Sequence, residues 1–177
     1  MLSEFHGQWQ ALESAASAVL TTSAVREDLQ AECLCVFLPA FEECRAYTAL
    51  LPSPRSSLPP LGVRRVWRRT NDLAKFESPV IRLRYGPKVE PTIEESEAVL
   101  ERAVIETLLR TANSMRVPAH PEQMQWGTDG ASYLLEFPGS FLSSRFRWWG
   151  EPPLGWEPLR DLHARVAEIV EGELTGR

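Results

Sequence analysis

The spacing of apolar residues at the start of the chain predicts an amphipathic helix over residues 4–21. Apolar side chains recur there at intervals of three or four residues, which places them on one side of a helix. This stripe consists of Phe5, Trp9, Leu12, Ala16 and Val19. Ser3 comes directly before the pattern and is a suitable N-cap residue.

A similar spacing continues over residues 25–50 and favours a second helical segment. The positions that carry it are Leu29, Cys33, Phe37, Phe41, Cys44 and Thr48. Pro39 lies inside the pattern, so we expect a kink or a break into two helices there. A short buried strand over residues 33–38 is the competing interpretation. The favoured interpretation is an N-terminal helical hairpin over residues 1–50.

Three regions further along the chain have the character of β-strands. Residues 80–85, VIRLRY, place apolar and basic side chains alternately on opposite faces. Residues 62–70 are rich in strand-forming residues but alternate poorly. Residues 127–149 indicate two strands around a Pro-Gly-Ser loop. These regions predict an antiparallel sheet of about four strands.

Two more helices are predicted in the second half of the chain. Residues 92–116 begin with Thr92 and Glu95 at the spacing of a capping box, and an apolar stripe follows. Residues 156–173 carry Pro158 in the first turn of a helix, where no amide donor is needed.

These elements define an α+β fold. An antiparallel sheet of about four strands is packed by a long central helix, a C-terminal helix and the N-terminal helical hairpin. The length of 177 residues, with 44% hydrophobic and 24% charged residues, suits a single domain over 1–177. Its expected parts are a helical segment 1–50, a proline- and serine-rich linker 51–60 and an α+β body 61–177.

Apolar runs and cysteines indicate a cytoplasmic protein. No run of 18 apolar residues is present, and the N-terminus does not read as a signal peptide. The three cysteines, Cys33, Cys35 and Cys44, are expected to be reduced and buried, as in a cytoplasmic protein. They could supply thiolates to a metal, but no fourth ligand stands at a zinc-finger spacing. We therefore expect no metal and no cofactor.

Charge is unevenly distributed along the chain, whose net charge is −5. Residues 53–91 contain nine basic and three acidic residues, whereas the segments on either side are acidic. This basic segment either docks against the acidic remainder or forms a cationic face for an anionic partner. Its densest part, a candidate nucleic-acid site, consists of Arg64, Arg65, Trp67, Arg68 and Arg69. A pI of about 5.3 argues against nucleic acid.

The stretch RFRWWGEPPLGWEPLRDL, residues 145–162, carries the second candidate site. Neighbours in a strand point to opposite faces, and Trp148 is in phase with Leu142 and Phe146, so Trp148 is expected in the core and Trp149 on the other face. An aromatic residue among arginines is typical of interface hot spots. The candidate partner-binding residues are Trp149, Arg145, Arg147, Arg82 and Arg84. The alternative is that a helix covers Trp149 and that this stretch only turns a strand into a helix.

The same stretch resembles a recurring ending of small bacterial proteins. The shared pattern is DG-x-x-Y … F-x-WW-x-x-PP-x-x-W-x-PL, carried here by Asp129, Gly130, Tyr133, Phe146, Trp148, Trp149, Trp156, Pro158 and Leu159. The likeness is best over 129–160 and looser over 60–177. Proteins with this ending are mostly uncharacterised and cytoplasmic, and some look like immunity proteins of toxin systems. The resemblance implies no catalytic residues.

No catalytic motif stands out in the sequence. Phosphate-binding glycine loops, HExxH, GxSxG and EF-hand loops are all missing. The favoured hypothesis is a non-enzymatic cytoplasmic protein that acts by binding another protein, with an immunity or antitoxin role as its finer form. Replacing Trp149 with Ala is then expected to weaken the complex and leave the fold intact. The alternatives are a nucleic-acid-binding protein using Arg64–Arg69 and an enzyme of unrecognised type.

Overall fold

The described part of the chain forms six strands and four helices. The computed structural model describes residues 2–53, 56–78, 90–121, 127, 129–139 and 143–176. The strands are β1 (Leu29–Pro39), β2 (Cys44–Pro52), β3 (Leu61–Trp67), β4 (Ile93–Val99), β5 (Ala131–Phe137) and β6 (Ser144–Trp149). The helices of these ranges are α1 (Leu2–Leu20), α2 (Arg69–Glu77), α3 (Arg102–Ser114) and α4 (Glu157–Thr175).

All six strands form one antiparallel sheet in the order β4-β3-β2-β1-β5-β6. The first four strands are sequential neighbours. The last two add to the free side of β1, which therefore lies inside the sheet with partners on both sides. A strand in this position needs apolar side chains on both faces, and the run CLCVFL of β1 supplies them.

Helices cover the sheet on both faces. One face of the sheet, which we call the α1 face, is packed by α1. This helix buries Leu12, Ala16 and Leu20 against Leu34 and Val36 of β1. These three side chains recur every four residues and lie on one side of α1, so the predicted N-terminal helix is confirmed. No helix in the described part of the chain is long and apolar enough to cross a membrane.

The opposite side of the sheet, the α4 face, is packed by α4 and, beside it, α3. Four apolar side chains of α4 at helical spacing are buried there: Leu159, Leu162, Val166 and Val170. Pro158 lies in the first turn, as predicted, and Gly176 ends the helix with a φ of 70°. The predicted C-terminal helix is confirmed.

The prediction of a helical hairpin over residues 1–50 is wrong. Residues 25–50 form the β-hairpin of β1 and β2, and the rejected alternative of a buried strand over 33–38 is the correct one. An interval of four residues is one helical turn but also two full periods of a strand, so the spacing did not discriminate between them. Pro39 ends β1 instead of kinking a helix.

The predicted sheet of four strands with a long central helix over 92–116 is also wrong. The first part of residues 92–116 forms strand β4, and only Arg102–Ser114 is helical. The sheet has six strands. Thr92 does not cap a helix, because its hydroxyl group donates to the Asp72 carboxylate at 2.5 Å. Acidic residues that resemble a helical first turn lie on this edge strand and pair with arginines of β3, as Glu95 does with Arg65.

The remaining strand predictions have mixed outcomes. Residues 127–149 contain β5 and β6, as predicted. The predicted strand over 62–70 is β3, but it ends at Trp67 and α2 follows it. The predicted strand over 80–85, with Arg82 and Arg84, lies outside the described residues.

Candidate partner-binding site

The two adjacent tryptophans of β6 point to opposite faces of the sheet. Trp148 lies opposite Tyr133 and is 2% exposed on the α4 face. Its indole ring stacks on the Tyr133 ring at 5.3 Å and meets the Trp156 ring edge-on. Trp156 is also buried and donates its indole N–H to the Pro118 carbonyl oxygen at 2.8 Å. The assignment of Trp148 to the core is confirmed.

Trp149 lies on the α1 face and is half-buried. Its indole packs against two glycines: a Cβ atom at Gly127 would lie 2.7 Å from Trp149 Nε1, and one at Gly130 would lie 3.0 Å from it. Any larger residue at Gly127 would have to displace the indole. Trp149 is therefore fixed in position by the chain before β5 while part of its ring remains accessible.

A groove of about 340 Å³ lies on the α1 face beside this tryptophan. We call it the Trp149 groove. Its walls come from α1, the end of β1, the β1–β2 turn, β2 and the β3–α2 junction. The lining residues are Glu13, Ser17, Leu38, Pro39, Ala40, Phe41, Cys44, Trp67, Arg69 and Trp149. Phe41, in the turn, is 77% exposed, which is unusual for a phenylalanine.

Arg69 forms one wall of the groove and joins three parts of the chain. Its guanidinium lies 5.6 Å from the Trp9 ring and 5.7 Å from the Trp67 ring, within the range of cation–π contacts. It donates to Glu13 of α1 at 2.6 Å and to the Ala40 carbonyl oxygen in the β1–β2 turn. These contacts hold the turn that carries Phe41 against α1.

Cys44 lies in the groove but is not set up as a nucleophile. Burial raises the pKa of its thiol to about 11, the positive charge of Arg69 lowers it in part, and Glu13 raises it. The thiol therefore stays protonated at neutral pH, whereas nucleophilic cysteines react as thiolates.

Two of the predicted arginines share the face of Trp149. Arg145 and Arg147 alternate with the α4-facing residues of β6, and both are exposed. Arg145 pairs with Glu136 of β5 at 2.6 Å. No ion pair joins Arg147 to another residue of the described ranges. The structure thus places three of the five candidates, Trp149, Arg145 and Arg147, on one face.

The basic segment of the nucleic-acid alternative is engaged inside the protein. Trp67 is 3% exposed and stacks on Trp9 at 5.9 Å. The four arginines of the basic segment all form ion pairs with glutamates: Arg64 with Glu171, Arg65 with Glu95, Arg68 with Glu43 and Glu94, and Arg69 with Glu13. Arg64 and Arg65, as neighbours in β3, point to opposite faces. Paired and divided in this way, these charges form no continuous cationic surface.

Asp72 is a buried carboxylate that sequence reasoning did not single out. It accepts hydrogen bonds from the Trp67 indole at 2.8 Å, the Thr92 N–H at 2.7 Å and the Thr92 hydroxyl, and from Lys75. Burial alone would raise the pKa of Asp72, but these donors outweigh it and hold the pKa below its usual value. The residue fixes α2 to β3 and to the start of β4, so its role is structural.

The other two cysteines lie in β1. Cys33 and Cys35 are both buried on the α4 face with their Sγ atoms 3.8 Å apart, and burial raises the pKa of Cys35 well above its usual value. No group of three histidine, cysteine or acidic side chains that could hold a metal occurs among the described residues.

Phe41 is the residue of this site that the sequence analysis missed. It was assigned to a helical stripe, which would have buried it. The sequence PAFEEC could have predicted its position, because Pro39 and two glutamates flank the phenylalanine, as is typical of a turn between strands.

Comparisons with known proteins add no relatives to these observations. No protein-family model matches the chain, and no curated protein or solved structure is significantly similar to it.

Proposed function

We propose that this chain is a non-enzymatic protein that acts by binding another protein on its α1 face. The contact surface consists of the Trp149 groove and the neighbouring basic end of β6. The partner inserts an apolar side chain between Phe41 and Trp149 and places carboxylates against Arg145 and Arg147. The cytoplasm, where its cysteines stay reduced, is the proposed location.

The observation that supports this proposal most is the exposure of Phe41 at the groove. Arg69 and Trp149 are both held in place by contacts within the chain, so the groove is formed before any partner arrives. A fixed apolar groove with an exposed aromatic side chain and nearby arginines has the composition of an interface hot spot. Preformed sites of this kind lose little conformational entropy on binding.

The charge of the surface indicates the chemistry of the partner. Arg145 forms an ion pair with Glu136, and Arg147, on the same strand face, has no ion-pair partner among the described residues. A partner with an acidic rim around an apolar side chain complements this pattern. Such charge pairs at the rim contribute mainly to association rate and specificity.

The test is affinity capture from lysate of the source organism, with and without nuclease treatment, using variants that separate the groove from the rest of the surface. We expect Phe41→Ala and Arg147→Glu each to weaken the affinity for a stoichiometric partner by at least about tenfold, or roughly 1.4 kcal/mol, and so to reduce its recovery. Phe41 is better suited to this test than Trp149, because Trp149→Ala would also remove the packing against Gly127 and Gly130.

The matched controls are Leu154→Ala and Arg116→Glu. Leu154 is 84% exposed and Arg116 is exposed, and neither lines the groove. Recovery of the partner by both controls and its loss from both groove variants would support the proposal. Equal recovery by all four variants would rule out the Trp149 groove, and a capture that disappears on nuclease treatment would favour nucleic acid.

The finer form of the proposal is that the partner is a toxin and the chain its immunity protein. Its basis is the resemblance of residues 129–160 to the ending of small bacterial proteins, some of which look like immunity proteins. The captured partner is then expected to arrest growth when expressed alone and to be neutralised by co-expression of the wild-type chain but not of Phe41→Ala. A captured partner without toxicity would leave the binding role intact and exclude this form of it.

A further inference from the structure

Strand β6 lies at one end of the strand order, and among the described residues its one neighbour in the sheet is β5. The N–H of Gly150 donates to the Ala131 carbonyl oxygen at 2.8 Å, so these two residues form a hydrogen-bonded pair of the antiparallel ladder. Such pairs alternate with non-hydrogen-bonded pairs along two strands. The register continues without a shift, so Trp148 and Phe146 direct their backbone groups to β5.

The alternate residues of β6 direct their backbone N–H and C=O groups away from β5. These residues are Arg145, Arg147 and Trp149. Their side chains also lie together, on the α1 face. We call this row of three residues the β6 edge. Its outward backbone groups and the side chains of the candidate partner-binding site therefore belong to the same residues, and no strand in the described part of the chain pairs with them.

We propose that the partner binds by adding an antiparallel strand to the β6 edge. This inference rests on the proposed function and states how the same surface recognises its partner. The added strand places an apolar residue opposite Trp149 and acidic residues opposite Arg147 and Arg145. Read from its N-terminus, it has the pattern apolar-x-acidic-x-acidic. In this mode of recognition, main-chain hydrogen bonds supply affinity and alternate side chains supply specificity.

The charge of the β6 edge favours an acidic strand. The Arg145 side chain is 58% exposed, although its Nε and one of its Nη atoms donate to the same oxygen of Glu136. A guanidinium group has five N–H donors, so Arg145 can bind a second carboxylate. Arg147 has no ion-pair partner among the described residues. Carboxylates directly opposite these arginines would stabilise the strand pair.

A second copy of the chain does not fit this edge. Two copies of β6 paired around Arg147 would place the two Arg147 side chains opposite each other, and like charges in that position destabilise a strand pair. Strand β4, at the other end of the strand order, differs because Glu94 and Glu95 already pair with Arg68 and Arg65. The β6 edge is therefore the one with a charge that suits a different, acidic partner.

A synthetic peptide tests the proposal directly. The probe is Thr-Leu-Thr-Glu-Thr-Glu-Thr with blocked ends and a fluorophore, in which leucine lies opposite Trp149 and the glutamates lie opposite Arg147 and Arg145. We expect saturable binding to the full chain, measured by fluorescence anisotropy. A peptide with lysines in place of both glutamates is expected to bind at least about tenfold more weakly.

N-methylation of the probe distinguishes strand addition from charge attraction alone. In the added strand the N–H groups of both glutamates point to β6, whereas those of the intervening threonines point away. Methylating the first glutamate N–H is expected to weaken binding at least about tenfold, and methylating the threonine N–H between the glutamates by less than about threefold. The two methylated peptides are isomers of equal charge. Equal effects of the two, or a probe that does not bind, would overturn the proposal.

Two variants at Arg147 provide the matching test on the protein. Arg147→Ala removes the charge, whereas Arg147→Pro also removes the outward N–H, at an edge-strand position where proline is tolerated. We expect Arg147→Pro to bind the probe at least about threefold more weakly than Arg147→Ala does. Circular dichroism checks that both variants fold. Equal affinities of the two folded variants would contradict strand addition.

Phe41 separates this proposal from the proposed function. It lies in the β1–β2 turn, outside the β6 edge, so Phe41→Ala is expected to bind the probe within about threefold of the wild type. A probe that does not bind, together with loss of the lysate partner from Phe41→Ala, would overturn the added strand and leave the proposed function. A probe that binds as expected, together with equal lysate recovery by all four capture variants, would support the added strand and rule out the proposed function.

Discussion

At the scale of single residues, side-chain direction separates core from surface more sharply than residue type does. Trp148 and Trp149 are chemically identical and adjacent, yet one is a core residue between Tyr133 and Trp156 and the other borders an open groove. The alternation of side chains along a strand decides this, and it could be inferred from the sequence because Trp148 is in phase with Leu142 and Phe146.

Asp72 leads to a prediction about stability and its dependence on pH. In Asp72→Asn, the single carbonyl oxygen of the asparagine cannot accept hydrogen bonds from all the groups that donate to Asp72. The new amide NH₂ group faces these donors. We expect the free energy of unfolding to fall by about 3 kcal/mol. Chemical denaturation at neutral pH measures it, with Glu173→Gln, an exposed acid on α4, as a control that changes stability by less than about 0.5 kcal/mol.

The sign of the pH effect follows from the lowered pKa of Asp72. The folded state binds a proton less readily than the unfolded state, so the stabilisation is complete above the unfolded pKa of about 3.9. It is lost as the pH falls from there through the folded value. Wild-type stability is expected to decline over this range more steeply than that of Asp72→Asn. Parallel curves would show that the carboxylate makes no net contribution.

At the scale of elements, the docking of α1 on the sheet depends on one small side chain. Ala16 is fully buried between Leu12 and Leu20, where α1 meets the α1 face. Ala16→Leu adds volume to a packed contact and is expected to destabilise the protein by about 1–3 kcal/mol. Thermal unfolding measures it.

The neighbouring Ala15 supplies the control for this substitution. Ala15 is exposed on the same helix, so Ala15→Leu keeps the change in helix propensity and removes the change in packing. We expect it to stay within about 0.5 kcal/mol of the wild type. If both substitutions destabilised the protein equally, the close packing of α1 on the sheet would be wrong.

Elements with one unambiguous period could be predicted from the sequence, and those with two compatible periods could not. Helices α1 and α4 and strands β5 and β6 were recognised because their apolar residues fit one pattern. Strands β1 and β2 were missed because a four-residue interval suits both structures. Strand β4 was missed because its glutamates resemble a helix start, and their partners, Arg65 of β3 and Arg68 just after it, are distant in sequence.

At the scale of the whole molecule, folding brings the described arginines of the basic segment against acidic parts of the chain. Four arginines of the basic segment pair with glutamates from α1, the β1–β2 turn, β4 and α4. Docking of the basic segment on the acidic remainder was one of two interpretations, and it holds for these arginines. The candidate site was partly predictable: Trp149, Arg145 and Arg147 share a face, but Phe41 and Arg69 joined it only through tertiary contacts.

The order of strands in the sheet has a consequence for synthesis on the ribosome. Strands β1 to β4 can pair as soon as they emerge, because each follows its neighbour. The other side of β1 waits for β5, since Leu34 pairs with Glu136 about 100 residues later. Until then the nascent chain displays an apolar strand with free backbone groups, which is a template for aggregation. Translation speed over the middle of the message therefore sets how long this protein is vulnerable.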